Sequence, residues 1–376
     1  MSDNKICVYA ICKNESQFVE KWIDSMSEAD YIVVLDTGSD DDTYEKFKND
    51  PRITRVEQKT YNPWRFDEPR NDALLMCPED ANIFVSTDLD EVFEPGWANV
   101  LRENWNPEYH VRALYKYAWS HNSKGEPERI FYYDKIHGPD WYWKAPVHEY
   151  LYSDEYDDEY TKQHSLDLFD KGVYLHHYPD QTKSRASYLP LLKIRAEEDP
   201  TDYNGRYYYA HELYYRGHYA ESITVLDDIL NNENFEGIRT PLEIAACYLF
   251  MGDSFLGLGN DEAAISAYNS AISAEPTYRE PYLQLSKVYL NNNYNHIAIG
   301  IVQDALSHTY RHYTWLERDL SWKEEPYDIM AIAYSNLKDY KNAYKYAVKA
   351  LIHNTSDERL LNNVKLIGKE LNNHDE

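Results

Sequence analysis

Short apolar runs alternate with amphipathic stretches along the first part of the chain. Residues 5–12 and 31–35 are almost entirely apolar or aromatic, which predicts two buried strands. Between them, apolar residues recur at helical spacing over residues 18–26, which predicts an amphipathic helix capped by Ser16. Further strands are predicted at residues 53–57, 83–85, 111–119 and 129–133. Strands that alternate with helices indicate an α/β fold built on a parallel sheet.

From about residue 205 the sequence becomes helical and self-similar. One set of small and aromatic residues has the spacing of a helix-turn-helix repeat of about 34 residues: Gly252, Phe255, Gly259, Ala264, Tyr268, Ala271 and Pro276. A shift of the same length reaches Ser286, Tyr289, Ala298, Val302 and Ala305. Further copies are predicted at residues 213–230 and 331–351, the second of them after an insertion at residues 310–325.

This pattern predicts a tetratricopeptide-type repeat domain, in which small residues let paired helices approach closely and aromatic residues fill the space between them. We therefore divide the chain into an α/β domain, residues 1–182, and a helical linker with an all-α repeat domain, residues 183–376. Such arrays usually bind a peptide or another protein. The alternative is that so few repeats only brace the first domain or form a dimer contact.

The strand predicted at residues 83–85 runs directly into three acids, Asp88, Asp90 and Glu91. Alternate side chains of an extended segment point the same way, so Asp88 and Asp90 can converge beyond the carboxyl end of the strand, where open α/β sheets bind ligands. Two adjacent carboxylates favour a hard divalent cation such as Mg²⁺ or Mn²⁺. An acidic turn after a strand is the alternative.

Other polar residues stand at the ends of predicted elements. Asp36 ends the second strand, where it could bind a ribose or a base, or form a turn within the loop that follows. Arg70 leads a predicted helix at residues 73–76, and it could clamp a diphosphate or pair with Asp88. Glu149, in a Val-His-Glu sequence, could act as a general base or form a structural pair with the adjacent histidine.

Composition narrows the class of protein. Hydrophobic residues make up 43% of the chain, and 38 basic against 65 acidic side chains give a net charge of −27. That charge argues against a nucleic-acid or anionic-membrane partner. The acidic run at residues 153–160 predicts a solvated loop, or else a lid near a basic acceptor. The absence of a long apolar stretch, of a signal peptide and of paired cysteines predicts a cytoplasmic protein without a membrane span.

Together, the first 180 residues resemble a GT-A glycosyltransferase of the family 2 type. The resemblance rests on the order of five pieces: Lys13-Asn14-Glu15, the loop at residues 36–43, the Trp64-Arg-Phe and Arg70-Asn71 segment, Asp88-Leu-Asp-Glu91 as a DxD motif, and Val147-His-Glu149 followed by His177. With the repeats, nearly the whole chain resembles the branch that includes bacterial S-glycosyltransferases of sublancin-like peptides. The fold this implies is a Rossmann-like, mostly parallel sheet followed by an all-α domain.

The resemblance implies inverting transfer of a sugar from a nucleoside-diphosphate sugar, with a UDP-sugar as the expected donor, to a peptide or protein acceptor, and Mn²⁺ or Mg²⁺ as cofactor. It assigns nucleotide or diphosphate binding to Asn14, Glu15, Asp36, Arg70 and Asp88. It assigns metal binding to Asp88, Asp90 and His177, with the adjacent His176 as the competing ligand. Glu149 is the predicted catalytic base, and Glu91 acts either directly or by supporting the other acids.

Two alternatives remain open. The acceptor could be a saccharide or a cell-envelope component, with the repeats serving assembly, for example as a homodimer. The protein could also be a repeat adaptor whose first domain is inactive. The lack of basic or amphipathic membrane-binding segments favours a peptide acceptor over the first alternative. The intact acidic triplet weighs against the second.

Overall fold

The computed structural model describes residues 4–122, 124–180, 188–233 and 240–374. Its contacts divide the chain into two compact units, Met1–Arg195 (unit 1) and Ala196–Glu376 (unit 2). The boundary predicted after residue 182 falls outside the described residues. Within the described part of the chain, no helix combines the length and apolar character needed to cross a membrane.

Unit 1 contains eleven strands and six helices among its described residues. The strands are β1 (Ile6–Cys12), β2 (Tyr31–Asp36), β3 (Arg55–Gln58), β4 (Ile83–Ser86), β5 (Glu91–Phe93), β6 (Arg112–His121), β7 (Pro127–His137), β8 (Tyr142–Lys144), β9 (Tyr150–Tyr152), β10 (Ser165–Asp167) and β11 (Tyr174–His177). The helices are α1 (Val19–Met26), α2 (Thr43–Asn49), α3 (Asp67–Leu75), α4 (Trp97–Asn104), α5 (Asp158–Gln163) and α6 (Tyr188–Glu198), the last of which runs past the unit boundary.

The main sheet has the strand order β3-β2-β1-β4-β7-β6-β11-β5, with β10 paired to β6. Strands β3, β2, β1 and β4 are parallel, as the alternating pattern predicts. Beyond β4 the sheet is mixed, because β7 runs antiparallel to β4 and β6, and β5 runs antiparallel to β11. The predicted α/β class is therefore present, in a mixed sheet in which β5 and β7 run opposite to the other strands.

Apolar side chains on both faces explain why β1 lies inside the sheet. All seven of its residues are buried, because helices cover one face, and α3 and the aromatic residues around β8 cover the other. Helix α1 buries Trp22, Ile23 and Met26 against this sheet, as its spacing predicts. The predicted cap is wrong in detail: α1 begins after Phe18, and Ser16 instead donates a hydrogen bond to Asp42.

Unit 2 is all-α in its described residues apart from a short 3₁₀ helix, Asp319–Trp322. Its helices are α7 (Tyr203–Tyr215), α8 (Tyr219–Asn231), α9 (Pro241–Gly257), α10 (Asp261–Ala274), α11 (Arg279–Asn291), α12 (Asn295–Ser307), α13 (Glu325–Asn336), α14 (Tyr340–His353) and α15 (Glu358–His374). Consecutive helices from α7 to α14 pack in pairs. The helix-pair repeats predicted from the 34-residue spacing are therefore present, with the first pair at the degenerate copy.

The repeat positions are packing positions. Gly252 of α9 faces the ring of Tyr268 in α10 so closely that a Cβ atom at Gly252 would lie 2.5 Å from the ring. The alanines predicted from the same pattern, including Ala264 and Ala298, are fully buried. A capping box at Thr240 and Glu243 begins α9 and satisfies backbone N–H groups in its first turn.

Candidate active site

The carboxyl ends of several strands meet at one edge of the main sheet. Strands β1, β2 and β4 are parallel, so the loops after Cys12, Asp36 and Ser86 leave the sheet on the same side. Strand β11 is parallel to β6, and β7 lies antiparallel between β6 and β4, so β11 also ends there. This edge therefore gathers most of the predicted site residues, as expected for a ligand site in an α/β sheet.

Arg70 is the centre of a cluster of charges at this edge. Its guanidinium, only 3% exposed, donates to Asp88 Oδ1 at 2.6 Å and to Glu149 Oε1 at 2.5 Å. The ammonium of Lys135 in β7 lies 3.5 Å from Asp88 Oδ2. Loss of contact with water would raise the pKa of the Asp88 carboxyl group, but the positive charges of Arg70 and Lys135 hold that pKa well below its usual range.

The position of Arg70 corrects one prediction and shows one of the two roles predicted for this residue. Arg70 lies inside α3, which begins at Asp67, and so does not open that helix. Of the two roles predicted for it, pairing with Asp88 is the one seen in this conformation. Asp88 likewise directs its oxygens toward Arg70 and Lys135, so metal binding by Asp88 would require it to leave at least one of these cations.

Glu149 ends a loop with a strained backbone. Ala145 and His148 both have positive φ angles, 83° and 49°, which side-chain-bearing residues rarely adopt. Arg195 secures the loop by donating to the carbonyl oxygens of Val147 and His148. Strain that the surroundings enforce is common where a side chain must be held for function. The loop thus holds Glu149 against Arg70.

Asp90 and His177 form a separate pair. Asp90 Oδ2 lies 3.4 Å from His177 Nε2, and His177 Nδ1 lies 3.1 Å from the carbonyl oxygen of Trp119. Burial alone would lower the pKa of His177, but the hydrogen bond and charge of Asp90 raise it overall. With Nδ1 donating to the Trp119 carbonyl, Nε2 is directed to Asp90, the arrangement in which a histidine can also bind a metal.

The two adjacent histidines of β11, His176 and His177, contact different partners. His176 contacts Glu94 at 3.0 Å through Nε2 and His121 at 2.9 Å through Nδ1. These partners draw His176 away from Asp90, because neighbouring residues of β11 point to opposite faces of the sheet. Of the two candidates, His177 is therefore the one that shares a site with Asp90.

No group of three or more His, Cys, Asp or Glu side chains in the described ranges is arranged to hold a metal ion by itself. Asp90 offers an oxygen ligand and His177 a nitrogen ligand, and these two atoms lie 3.4 Å apart. Both side chains are partly accessible to solvent, with exposed fractions of 14% for Asp90 and 11% for His177. Mg²⁺ and Mn²⁺ commonly take one or two protein ligands and complete their coordination with phosphate oxygens and water. This donor pair fits such an ion.

Glu91 lies behind the site rather than in it. It is 1% exposed, accepts a hydrogen bond from Tyr117 at 2.8 Å, and accepts another from the backbone N–H of Asp88 at 2.9 Å. Burial raises the pKa of Glu91 to about 7. Of the two roles predicted for Glu91, support of the acidic turn is the one seen in this conformation, because its carboxyl group has almost no exposed surface.

Three of the five residues predicted to bind the nucleotide or its diphosphate mainly shape two loops. Asp36 is fully buried and accepts hydrogen bonds from the N–H groups of Gly38 and Ser39 and from Gln58, so its turn-forming alternative describes this conformation. Asn14 is exposed and accepts from the N–H of Asp40. The N–H of Glu15 donates to Thr43 at 2.9 Å. These contacts join the loops after β1 and β2 at the carboxyl edge.

The sequence interpretation missed two residues that complete the charge cluster. One of them, Lys135, is the single lysine in the aromatic strand β7, which could have marked it as a candidate site residue. Nothing in the sequence indicated that it contacts Asp88. The guanidinium of Arg70 lies 5.1 Å from the ring centre of Trp143, and Lys135 lies 5.9 Å from the same ring. Trp143 is thus the second residue, and both cations lie close to its aromatic ring.

A surface cavity of about 500 Å³ adjoins Asp90. Phe18, Leu89, Val92 and Tyr178 are among the residues that line it. Lys21 also lines the cavity, and its ammonium lies 3.7 Å from the ring centre of Tyr178. The metal-compatible pair is therefore bordered by a mainly apolar depression.

No protein-family model matches this chain, and no curated protein matches its sequence. Solved structures similar to part of it include a thermophilic TPR protein from Thermus thermophilus, with 19% identity and a TM-score of 0.36, covering 49% of this chain and 88% of that one. The MamA protein has 21% identity and a TM-score of 0.34, covering 44% of this chain and 80% of its own. A tetratricopeptide repeat protein from Parabacteroides merdae has 13% identity and a TM-score of 0.37, covering 50% and 66%. The helix pairs of unit 2 and the spacing of their small and aromatic residues indicate repeats independently of these similarities.

Proposed function

We propose that unit 1 is a metal-dependent, inverting glycosyltransferase domain that uses a nucleoside-diphosphate sugar, and that the acceptor is a peptide or protein recruited by the repeats of unit 2. The observation that carries this proposal is the meeting of two groups at one sheet edge. One group is the pair of Asp90 and His177, which fits a divalent ion. The other is Arg70 with Asp88 and Glu149, which combines a buried cation with two carboxylates.

Each group suits one part of such a reaction. A divalent ion held by Asp90 and His177 would neutralise the negative charge of the departing nucleoside diphosphate. Arg70 and Lys135 keep positive charge beside Asp88, and phosphate oxygens can take the place of a carboxylate on both cations. The apolar depression next to Asp90 is a suitable place for the acceptor side chain.

In the proposed reaction, the acceptor atom forms a bond to the anomeric carbon while the bond from that carbon to the diphosphate oxygen breaks. The electron pair of the broken bond leaves with the nucleoside diphosphate. A base takes the proton of the acceptor, and Glu149 remains the candidate for this role. Because Glu149 accepts a hydrogen bond from Arg70, the proposal requires Arg70 to turn toward the diphosphate when the donor binds.

Thermal unfolding with UDP and Mn²⁺ tests the proposal directly. Ligand at about 100 times its Kd should stabilise the folded chain by about 2.7 kcal/mol and raise the unfolding midpoint. We expect Asp90→Asn to abolish this rise, because it removes the negative charge of a metal ligand without changing the size of the side chain. Release of UDP from a UDP-sugar should fall in the same variant.

Asp170→Asn is the matched control, since Asp170 is 87% exposed and its ion pair with Lys116 lies outside the site. It should respond to UDP and Mn²⁺ as the unaltered chain does. Other nucleoside diphosphates, and Mg²⁺, should be tried in the same format. A chain that is stabilised by none of these combinations would contradict the proposal.

A repeat adaptor with an inactive first domain is the second candidate. It is favoured by the helix pairs of unit 2, which are the framework of protein-binding arrays. It is also compatible with Asp88 being fully engaged by Arg70 and Lys135. Failure of every nucleotide and metal to stabilise the chain would support this candidate, whereas a rise that depends on Asp90 would exclude it.

A further inference from the structure

One connection in the described part of unit 2 is much longer than another. Between α10 and α11 the chain needs only residues 275–278, whereas between α12 and α13 it runs from residue 308 to residue 324. We call residues 308–324 the crossing segment. Apart from its 3₁₀ turn, it has no regular secondary structure, and it contacts residues of α7, of α9 and at the start of α11.

An aromatic residue anchors the crossing segment on α7. The ring of Trp315 lies 5.5 Å from that of Tyr207, edge to face, and 5.1 Å from that of Tyr208. The next residue, Leu316, accepts a hydrogen bond at its carbonyl oxygen from the hydroxyl of Tyr278 at 3.0 Å. Trp315 and Leu316 both pack against the core of the first helix pairs.

An arginine makes the second set of contacts. The backbone N–H of Arg318 donates to Glu280 Oε1 at 2.6 Å, and its guanidinium donates to Asp253 Oδ2 at 3.3 Å. The guanidinium also lies 5.9 Å from the ring centre of Phe250. Between them, Trp315 and Arg318 contact all three helices.

The surface that receives them is built from six residues: Tyr207, Tyr208, Phe250, Asp253, Tyr278 and Glu280. We call it the receiving face. Its two acids are almost fully buried, with Asp253 7% and Glu280 1% exposed. Buried carboxyl groups destabilise a helical core unless hydrogen-bond donors or a cation contact them, so this surface is suited to a ligand that donates hydrogen bonds, as an arginine does.

The crossing segment satisfies this surface incompletely. Glu280 Oε2 and the hydroxyl of Tyr207 are buried without a hydrogen-bond partner among the described residues. The side chain of Arg318 is 35% exposed, although the carboxylate it contacts is buried. Tyr313 has a positive φ of 54°, which is strained for a bulky residue. A loop that served only as core would be expected to leave fewer polar atoms unpaired.

We infer that the receiving face is a binding site for a peptide with an aromatic residue three positions before an arginine, and that the crossing segment, with Trp315 and Arg318, occupies this site as an internal competitor. A partner peptide of this chemistry displaces the crossing segment and can supply the donors that Glu280 Oε2 and Tyr207 lack. The inference concerns unit 2 alone and does not depend on the transferase activity proposed for unit 1.

A fluorescent peptide with the sequence of residues 309–324 is the probe, and its anisotropy is measured against the full chain. In the unaltered chain the internal segment competes, so binding should be weak. Arg318→Ala in the chain weakens the competitor and should tighten binding of the unaltered peptide by about tenfold or more, because a larger fraction of the chain then has an open site. Trp315→Ala in the chain should act in the same direction.

Two controls separate displacement from nonspecific binding. Arg359→Ala removes an exposed arginine that pairs with Asp328 elsewhere in unit 2, and it should leave peptide affinity unchanged. A peptide that carries Arg318→Ala should bind neither chain. Glu280→Gln, introduced into the Arg318→Ala chain, should weaken binding of the unaltered peptide, because its amide N–H₂ group replaces the unpaired oxygen Oε2 and cannot accept a hydrogen bond from the peptide.

Hydrogen exchange of the unaltered chain gives a measurement that needs no variant. Excess peptide should speed exchange of the amides in the crossing segment while the amides of α9 stay protected. The inference is overturned if a folded Arg318→Ala chain, judged by circular dichroism, binds the peptide no better than the unaltered chain. Unchanged exchange in the crossing segment at saturating peptide would overturn it as well.

Discussion

Arg70 joins two carboxylates that are far apart in the sequence. Its guanidinium is 3% exposed and donates to both Asp88 and Glu149. Removing one partner from a buried ion pair typically costs about 3–5 kcal/mol, because the remaining charge stays in a poorly solvated place. We therefore expect Arg70→Met to lower the free energy of unfolding by about that amount in urea titrations at neutral pH.

Arg52→Met is the matched control for this prediction. Arg52 also pairs with two acids, Asp24 and Asp50, but its side chain is 39% exposed. Exposed ion pairs usually contribute less than about 1 kcal/mol each, so the control variant should lose far less stability. Equal losses in the two variants would contradict the importance assigned to burial at Arg70.

Glu280 should make the stability of unit 2 depend on pH. Burial raises its pKa from the ordinary 4.5 to about 8, and the charge of Glu317 adds to this effect, while the N–H and the charge of Arg318 oppose it. Between those two pKa values the unfolded chain has released the proton that the folded chain keeps. Raising the pH from about 5 to about 8 should therefore lower the free energy of unfolding, by roughly 3–5 kcal/mol at most from this group.

Glu280→Gln tests this pH dependence, because glutamine can still accept the hydrogen bond from Arg318 but does not titrate. Its free energy of unfolding, measured by urea titration at several pH values, should fall less steeply with pH than that of the unaltered chain. The nearby Arg279, Tyr278 and Glu317 are present in both chains and cancel in the difference. Parallel pH profiles for the two chains would show that Glu280 is ionised in the folded state.

At the scale of single residues, the sequence predicted the positions of acids better than their partners. Asp88 and Asp90 stand at a strand end, as the pattern requires, and His177 reaches Asp90 because β11 ends at the same edge. The contact between Arg70 and Glu149 spans residues 70 to 149 and depends on how β8 and its loop fold back. No local pattern encodes such a contact, so the sequence left the role of Arg70 open.

Helix α9 depends on the absence of a side chain at Gly252. A Cβ atom there would lie 2.5 Å from the ring of Tyr268, which is fully buried and whose hydroxyl donates to Asp253 at 2.7 Å. The ring therefore cannot move aside without breaking that hydrogen bond. We expect Gly252→Ala to destabilise the chain by about 1–3 kcal/mol, as overpacking of a core usually does. Thermal or urea unfolding followed by circular dichroism measures this loss.

Gly300→Ala is the matched control, because Gly300 is a helical glycine with open space around it in the neighbouring helix pair, α11 and α12. Gly300 lies within α12, and a Cβ atom there would meet nothing within 4 Å. Alanine favours the helix over glycine by up to about 1 kcal/mol, so this variant should be neutral or more stable. If Gly252→Ala were as stable as Gly300→Ala, the close packing of α9 on α10 would be disproved.

At the scale of elements, strongly periodic segments were predicted well and short ones poorly. Strands β1 and β2 were found because a buried parallel strand is apolar at nearly every position. The helix pairs of unit 2 were found because each copy repeats the same small and aromatic positions. Strands β8 and β9 have only three residues each, too few for a period to show. The direction of β7, which makes the sheet mixed, depends on long-range pairing that no local sequence specifies.

Charge is the property of the whole molecule that composition determines directly. The chain has 65 acidic and 38 basic side chains, a net charge of −27. Many basic side chains already pair with acids at the surface, as Lys5 does with Asp80, so the excess acids are left to repel one another. Self-repulsion of this kind destabilises a compact chain more than an expanded one.

Salt should therefore stabilise the folded chain. Raising NaCl from about 10 mM to about 100 mM shortens the screening length from about 30 Å to about 10 Å, which weakens repulsion across the molecule more than it weakens contacts between adjacent charges. We expect the unfolding midpoint to rise over this range, measured with EDTA present so that divalent ions do not contribute. Glu155→Gln, at an exposed acid, should reduce the rise, and Lys341→Gln, at an exposed base, should enlarge it. A midpoint that falls with added salt would mean that local ion pairs such as Arg70 with Asp88 outweigh the net charge.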